Sequence, residues 1–211
     1  DRFGERGVFV RSSTNAEDLP GFNGAGLYDT VPNVKGAASL AKAIKQVWGS
    51  LWNFRAYEER DRAGIDHRGV FPAVLMQVSA NAAGAGVMVT SNIFDVDAGP
   101  AVFINAKRGL GIRVVGGGRI PEQVLYDMTT REIRVISRSD DDVALVVDKD
   151  GGVKEVPASA EPFLTKARIR VLVRAAKRVV ELFPDAPQDI EWLIGADDEV
   201  KVVQTRPFVG G

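Results

Sequence analysis

The sequence contains no cysteine and a single histidine, His67. The first absence excludes disulfides and thiolate metal sites and is compatible with the cytosol. The second excludes a metal centre built on clustered histidines. A Ser–His–acid triad would have to use His67, which lies in the polar connection Asp66-His67-Arg68-Gly69, away from any nucleophile elbow. That context reads as an exposed loop histidine, with a catalytic or phosphorylated one as the alternative. Charge of one sign is also lacking: 27 basic and 28 acidic residues leave a net charge of −1. Bulk nucleic-acid binding normally shows as a basic excess, so no nucleic-acid partner is expected. No apolar run approaches the roughly 20 residues of a membrane span, and no signal peptide is visible, so no membrane partner is expected either.

What is present is an apolar fraction of 45% in 211 residues, enough for one substantial domain or two small lobes with a real core. The 22 glycines cluster at Gly21–Gly26, Gly84–Gly86, Gly109–Gly118 and Gly151–Gly152, between β-rich runs. That pattern predicts sheets joined by close-approach loops. Val8-Phe9-Val10 is a short strand that delivers Arg11, two serines and then the loop Gly21-Phe22-Asn23-Gly24-Ala25-Gly26 ahead of Thr30. Small residues let backbone N–H groups approach an anion, and Arg11 adds charge, so the stretch fits a phosphate clamp as well as an ordinary loop. It is neither a Walker A loop nor a dinucleotide fingerprint, because the closing Gly-Lys-Ser/Thr and the required glycine spacing are missing.

From Gly36 to Ala63 apolar residues recur at helical steps, with Gly49-Ser50 placed to kink or split the helix. The same spacing predicts core packing for Trp48, Trp52 and Phe54. Val70–Val78 reads as a buried strand in which the amide of Gln77 needs partners, either from the fold or from a ligand such as a base edge. Gly86–Thr90 reads as a second strand of that same sheet, Val102–Asn105 as a third, and further strand pairs follow. Asp140-Asp141-Asp142 reads as a solvated charge run. Thr165 is placed to cap an amphipathic helix ending near Phe183, whose outer face is basic.

The last stretch pairs Gln188–Ile194 with Val200–Phe208 as a hairpin. A four-residue turn, Gly195–Asp198, would set Glu191 across from Val202 and align Glu191, Val202, Gln204 and Arg206 on one face. A carboxylate, an amide and a guanidinium together suit a divalent cation and a polyphosphate. A polar-faced surface hairpin fits the same residues.

Several of these segments, in their order, resemble the ATP-binding domain of the phosphoenolpyruvate synthase and pyruvate phosphate dikinase family. They are Val10-Arg11-Ser12-Ser13 with Glu17-Asp18 and the glycine loop, Ala83–Thr90, Val102–Asn105 with Gly109-Leu110-Gly111, Gln188-Asp189-Ile190-Glu191-Trp192 and Gln204-Thr205-Arg206-Pro207. The resemblance implies an α+β, ATP-grasp-like fold of mostly antiparallel sheets with packed helices, in which ATP lies between two lobes. It implies that Arg11 and Arg206 contact phosphates and that Gly24, Ala25, Gly26 and Thr30 belong to the phosphate-covering loop. It further places Gln77 beside the adenine and makes Glu191 and Gln204 the Mg2+ ligands. The family passes phosphoryl from ATP to a histidine on a separate domain, and His67 does not resemble that histidine. On this reading residues 1–211 are the later part of the ATP domain of a cytoplasmic enzyme that can form a homodimer. The N-terminal lobe, the phosphohistidine domain and the acceptor domain would lie elsewhere, leaving weak Mg2+-dependent nucleotide binding and no turnover. Pyruvate is the family's commonest acceptor. A glucan, a rifamycin or a non-catalytic nucleotide module are the alternatives.

Overall fold

The structure, a computed structural model, describes residues 6–19, 22–24, 26–112 and 120–208. They fall into two compact units, one running to Ala80 and including Val147–Lys154, the other comprising Asn81–Val146 and the chain from Glu155 onward. The architecture is α+β, ATP-grasp-like, with antiparallel sheets, as expected.

In the first unit, β1 (Val8–Ser12) is the centre of a three-stranded sheet between β4 (Thr30–Val34) and β5 (Val74–Val78). Two two-residue strands, β2 (Asp18–Leu19) and β3 (Phe22–Asn23), pair with each other in the intervening loop. Alternation along β1 buries Val8 and Val10, which meet Val34 and, from α1 (Ala37–Gly49), Ala43 and Val47. The helix breaks where the glycine suggested: α1 ends at Gly49, a 3-10 turn takes Ser50–Trp52, and α2 (Phe54–Arg62) follows. The expected core role of the aromatics is not met; for Trp52 and Phe54 the break is the reason, while Trp48 lies before it on α1, one residue past the buried Val47. A 3-10 turn advances 120° per residue instead of 100°, so positions in phase on one long helix leave the apolar stripe. Trp48, Trp52 and Phe54 are 45%, 58% and 76% exposed. Residues Val70–Ala73 precede β5 instead of belonging to it, and Leu75 and Met76 are exposed, so the strand is shorter and less buried than its composition suggests. Asn33, at φ 47°, donates its amide to Asp148 O and Gly152 O (2.7 Å each), tying the turn between β10 (Val143–Val147) and β11 (Val153–Pro157) to β4.

The second unit is built on a six-stranded antiparallel sheet, in the order β13 (Val200–Pro207), β12 (Gln188–Ile194), β6 (Gly84–Val89), β7 (Ala101–Arg108), β8 (Glu122–Asp127), β9 (Ile133–Ser137). β5 and β6 therefore lie in different sheets, contrary to expectation. The chain passes from one unit to the other between Ala80 and Asn81. Helix α3 (Lys166–Leu182) covers one face, with Ile169, Leu172, Val173 and Ala176 meeting Met88, Ile104, Ile190 and Trp192. Each of the buried Ile, Leu, Val and Met side chains contributes roughly 1.5–3 kcal/mol by leaving water. Gly86 allows the close approach of β6 to β7, since a Cβ there would stand 1.9 Å from Asn105 O.

The start of α3 is held twice. Thr165 Oγ1 accepts from the Arg168 N–H (3.3 Å), the expected cap. Buried Glu122 accepts from the Phe163 and Leu164 N–H groups (2.8 and 3.0 Å) and from Arg138. The three aspartates at 140–142 are more than a solvated run: Asp141 pairs with Lys107 at 3.5 Å, and Asp140 accepts from the Ile120 N–H at 2.8 Å.

Candidate functional site

On the other face of the large sheet, the alternation of β12 turns Asp189, Glu191 and Leu193 away from the α3 side, where Gln188, Ile190, Trp192 and Ile194 are buried. The register with β13 differs from the expected one. Ile194 pairs with Val200, so the turn takes residues 195–199 rather than four residues. The cause is local: Asp198 adopts φ 58°, and Asp197 Oδ1 accepts from the Glu199 N–H, which spends one more residue before pairing resumes. An irregularity between Glu191 and Trp192 then leaves Val203 as an extra residue on β13. Glu191 is consequently opposite Gln204, while Val202 is opposite Trp192 and is not a member of the predicted face.

The correction tightens the cluster. Glu191 and Gln204 become direct cross-strand partners, and Asp189 becomes the partner of Arg206. Asp189 Oδ2 accepts from both Nε and Nη2 of Arg206, at 2.9 and 2.7 Å. The two side chains are 16% and 18% exposed, so this charge-assisted pair sets the plane of the guanidinium with little competition from water. Asp189 Oδ1 is buried and has no hydrogen-bond partner among the described residues. Sequence reasoning passed over Asp189. The period-2 signal that selects Glu191 also selects Asp189, but its pairing with Arg206 depends on the register. The row continues from Glu191 through Val87 to Asn105, Gln123 and Ser137, whose hydroxyl donates to Pro121 O at 2.7 Å and stands 3.1 Å from the Gln123 side-chain amide.

In the first unit the sheet groups three of the expected residues. Arg11 is directly opposite Thr30 on β4, and its Nη1 donates to Gln77 Oε1 on β5 at 3.4 Å. In the loop, the Gly24 N–H donates to Glu17 O at 2.7 Å, and a Cβ on Gly24 would stand 2.8 Å from that oxygen. Gly26 is exposed, with φ +70°, a left-handed conformation that glycine adopts without strain. Ala25 lies outside the described residues.

Chemically, Glu191 and Gln204 offer a carboxylate and an amide oxygen side by side, beside a fork already oriented by Asp189. Mg2+ takes one or two such protein oxygens and fills its octahedron with phosphate oxygens and water, so this donor set fits it. The fork suits a phosphate.

Comparison with known proteins identifies the family. Residues 1–209 match the family model described as pyruvate phosphate dikinase, AMP/ATP-binding domain. The chain is 31% identical to the phosphoenolpyruvate synthase of Pyrococcus furiosus, over 98% of this chain and 27% of that protein. It is 37% identical to the rifampicin phosphotransferase of Streptomyces sviceus, over 98% of this chain and 24% of that protein. With the probable phosphoenolpyruvate synthase of Archaeoglobus fulgidus the identity is 35%, over 95% of this chain and 27% of that protein. The chain thus spans about a quarter of the length of the curated relatives it matches. With that match over nearly its whole length, the chain belongs to the pyruvate phosphate dikinase AMP/ATP-binding domain family.

Proposed function

We propose that this chain is the Mg2+–ATP-binding portion of a dikinase-type phosphotransferase, corresponding to the later part of its ATP-grasp-like domain. On this reading it helps pass phosphoryl from ATP to a histidine carried on another domain of the same polypeptide, with pyruvate as the final acceptor. The observation that carries it is the block on β12 and β13: Glu191 opposite Gln204, next to Arg206 held by Asp189.

Each residue has a separable role. Glu191 and Gln204 would hold Mg2+, which supplies charge neutralisation of the phosphate oxygens when bound. Arg206 would direct its fork at a phosphate, and Asp189 keeps that fork in one orientation. Arg11 would add a second guanidinium toward the phosphates, with Gly24, Ala25, Gly26 and Thr30 in the covering loop. Gln77 would meet the adenine edge. None of these groups is a nucleophile. Phosphoryl transfer needs mainly positioning and electrostatic stabilisation from the donor side, which Arg11 and Arg206 would provide on this reading. A purely structural relic would have no need of the whole set. No helix among the described residues is long and apolar enough to cross a membrane, and the proposed setting is the cytoplasm.

Rifampicin phosphotransferase supports a second reading of the acceptor, since the chain is 37% identical to it against 31% for the Pyrococcus furiosus synthase. The donor chemistry is the same in both. Calorimetry with ATP and Mg2+ tests the common part. Heat of binding is expected for the native chain and should vanish in the double variant Glu191→Ala, Arg206→Ala; unchanged heat in that variant would sink the site.

A further inference from the structure

Arg60, on α2, is fully buried, and its bonds reach the glycine loop. Nη2 donates to Leu51 O (2.5 Å), Nη1 to the Tyr28 hydroxyl (3.2 Å) and Nε to His67 Nδ1 (3.4 Å). The guanidinium also lies 5.9 Å from the Tyr28 ring centre and 5.8 Å from that of Trp52. Because Nδ1 of His67 accepts, its ring proton sits on Nε2, and the ring stacks on Tyr57 at 4.0 Å. His67 is thus a wall of this cage, not the exposed loop residue its neighbours in sequence suggest. A guanidinium has no acceptor, so a buried one is costly unless its donors are directed at particular oxygens and nitrogens.

The bond to Tyr28 fixes a direction. Arg60 can only donate to the hydroxyl, so the single Tyr28 proton goes elsewhere, and it goes to Ala16 O at 2.9 Å. Ala16 and Tyr28 are the two feet of the glycine loop. Just above them the Gly24 N–H is bonded to Glu17 O, and the space over Gly24 is bounded by the Tyr28 ring, 3.2 Å from where a Cβ would stand. The next residue is anchored as well. The Asp29 N–H donates to Ser50 Oγ at 3.0 Å, and its carboxylate accepts from Gln46 and Asn53 at 3.0 and 3.3 Å.

We propose that Arg60 is a positioning residue for the glycine loop, acting through Tyr28 to hold the loop's neck closed, with Gly24 bonded inward to Glu17, and so to keep the loop in one conformation for the phosphates of a bound nucleotide. The phosphate part of this inference rests on the nucleotide-binding reading above; the loop part does not.

The test uses Tyr28→Phe, which keeps the ring and removes the hydroxyl, together with Arg60→Lys, which keeps the charge but cannot make the same set of bonds. In the first arm, amide hydrogen exchange is read at Gly24 and, as a reference, at Val10 and Val47 in the neighbouring core. Both variants are expected to speed exchange at Gly24 about tenfold while the reference amides hold. Unchanged protection at Gly24, or a parallel rise at all three amides, would overturn the pin. In the second arm, calorimetry compares ATP with adenosine. Tyr28→Phe is expected to weaken ATP about tenfold and leave adenosine unchanged. Equal losses for both ligands, or none for ATP, would overturn the phosphate role. A native chain that binds no ATP would remove the nucleotide reading while the exchange arm still decides the pin.

Discussion

At the scale of single residues, the pairing of Asp189 with Arg206 is the most informative contact in the second unit. Its carboxylate is held by two charge-assisted bonds in a half-dry position, and it has no other described partner. Asp189→Asn keeps the shape and removes the charge, so the guanidinium loses its fixed orientation. Mg2+–ATP affinity is expected to fall about tenfold, as suits the loss of one good charged hydrogen bond. Titration of the variant checks it, and an affinity equal to that of the native chain would contradict the assignment. The chemistry of this cluster was partly legible in the sequence: Gln204 and Arg206 alternate along one strand and so share a face, but Glu191 joins them only because the extra residue at Val203 offsets the longer turn. The partner of each was not. A one-residue difference in the turn and an extra residue at Val203 decide who faces whom, and both follow from the backbone of Asp198 and its neighbours. Trp52 and Phe54 were misassigned for a comparable reason, since a single 3-10 turn changes the phase on which a helical stripe is counted.

At the scale of elements, local signals served well where one residue does the work. Thr165 reads as a cap in the sequence and is one. Replacing it with Ala is expected to cost about 1 kcal/mol of stability in chemical denaturation, with Ser restoring most of it; no change would show that Glu122 alone holds the start of α3. The turn between β10 and β11 carries a pH signature. The Asp150 N–H, and then Lys154, bond the Asp148 carboxylate and hold it below its usual 3.8. A carboxylate depressed on folding stabilises the native state above its unfolded value, and that contribution is lost as pH falls through the lower, folded one. The Asp148 carboxyl carbon is therefore expected to titrate by NMR with a midpoint under 3.8; a midpoint at or above that value would contradict the bond pattern. At the start of β5, where Val70–Ala73 precede the strand, local composition carried no such signal, and the strand was read as longer and more buried than it is.

At the scale of the whole molecule, alternating runs and glycine spacing indicated sheets joined by close-approach loops, the α+β class came from the family resemblance, and the strand order came from neither. Asp189 pairs with Val89, and β12 inserts between β13 and β6, an arrangement that depends on packing between distant segments. Gly86 is where that packing is tightest. Gly86→Val should destabilise the second unit by more than about 3 kcal/mol in urea unfolding, because the new side chain meets Asn105 backbone instead of a movable side chain. A loss under 1 kcal/mol would mean that β6 and β7 are further apart than the structure shows. The central claim is that the face bearing Glu191, Gln204 and Arg206 holds the metal–phosphate end of ATP. The most direct measurement replaces Mg2+ with paramagnetic Mn2+ and follows backbone amide signals as Mn2+–ATP is added in substoichiometric amounts. Selective broadening at Glu191, Gln204 and Arg206, with Arg170 and Arg174 on the outer side of α3 unaffected, is the expected result. Broadening that misses β12 and β13, or that is the same with Mn2+ alone as with Mn2+–ATP, would contradict it.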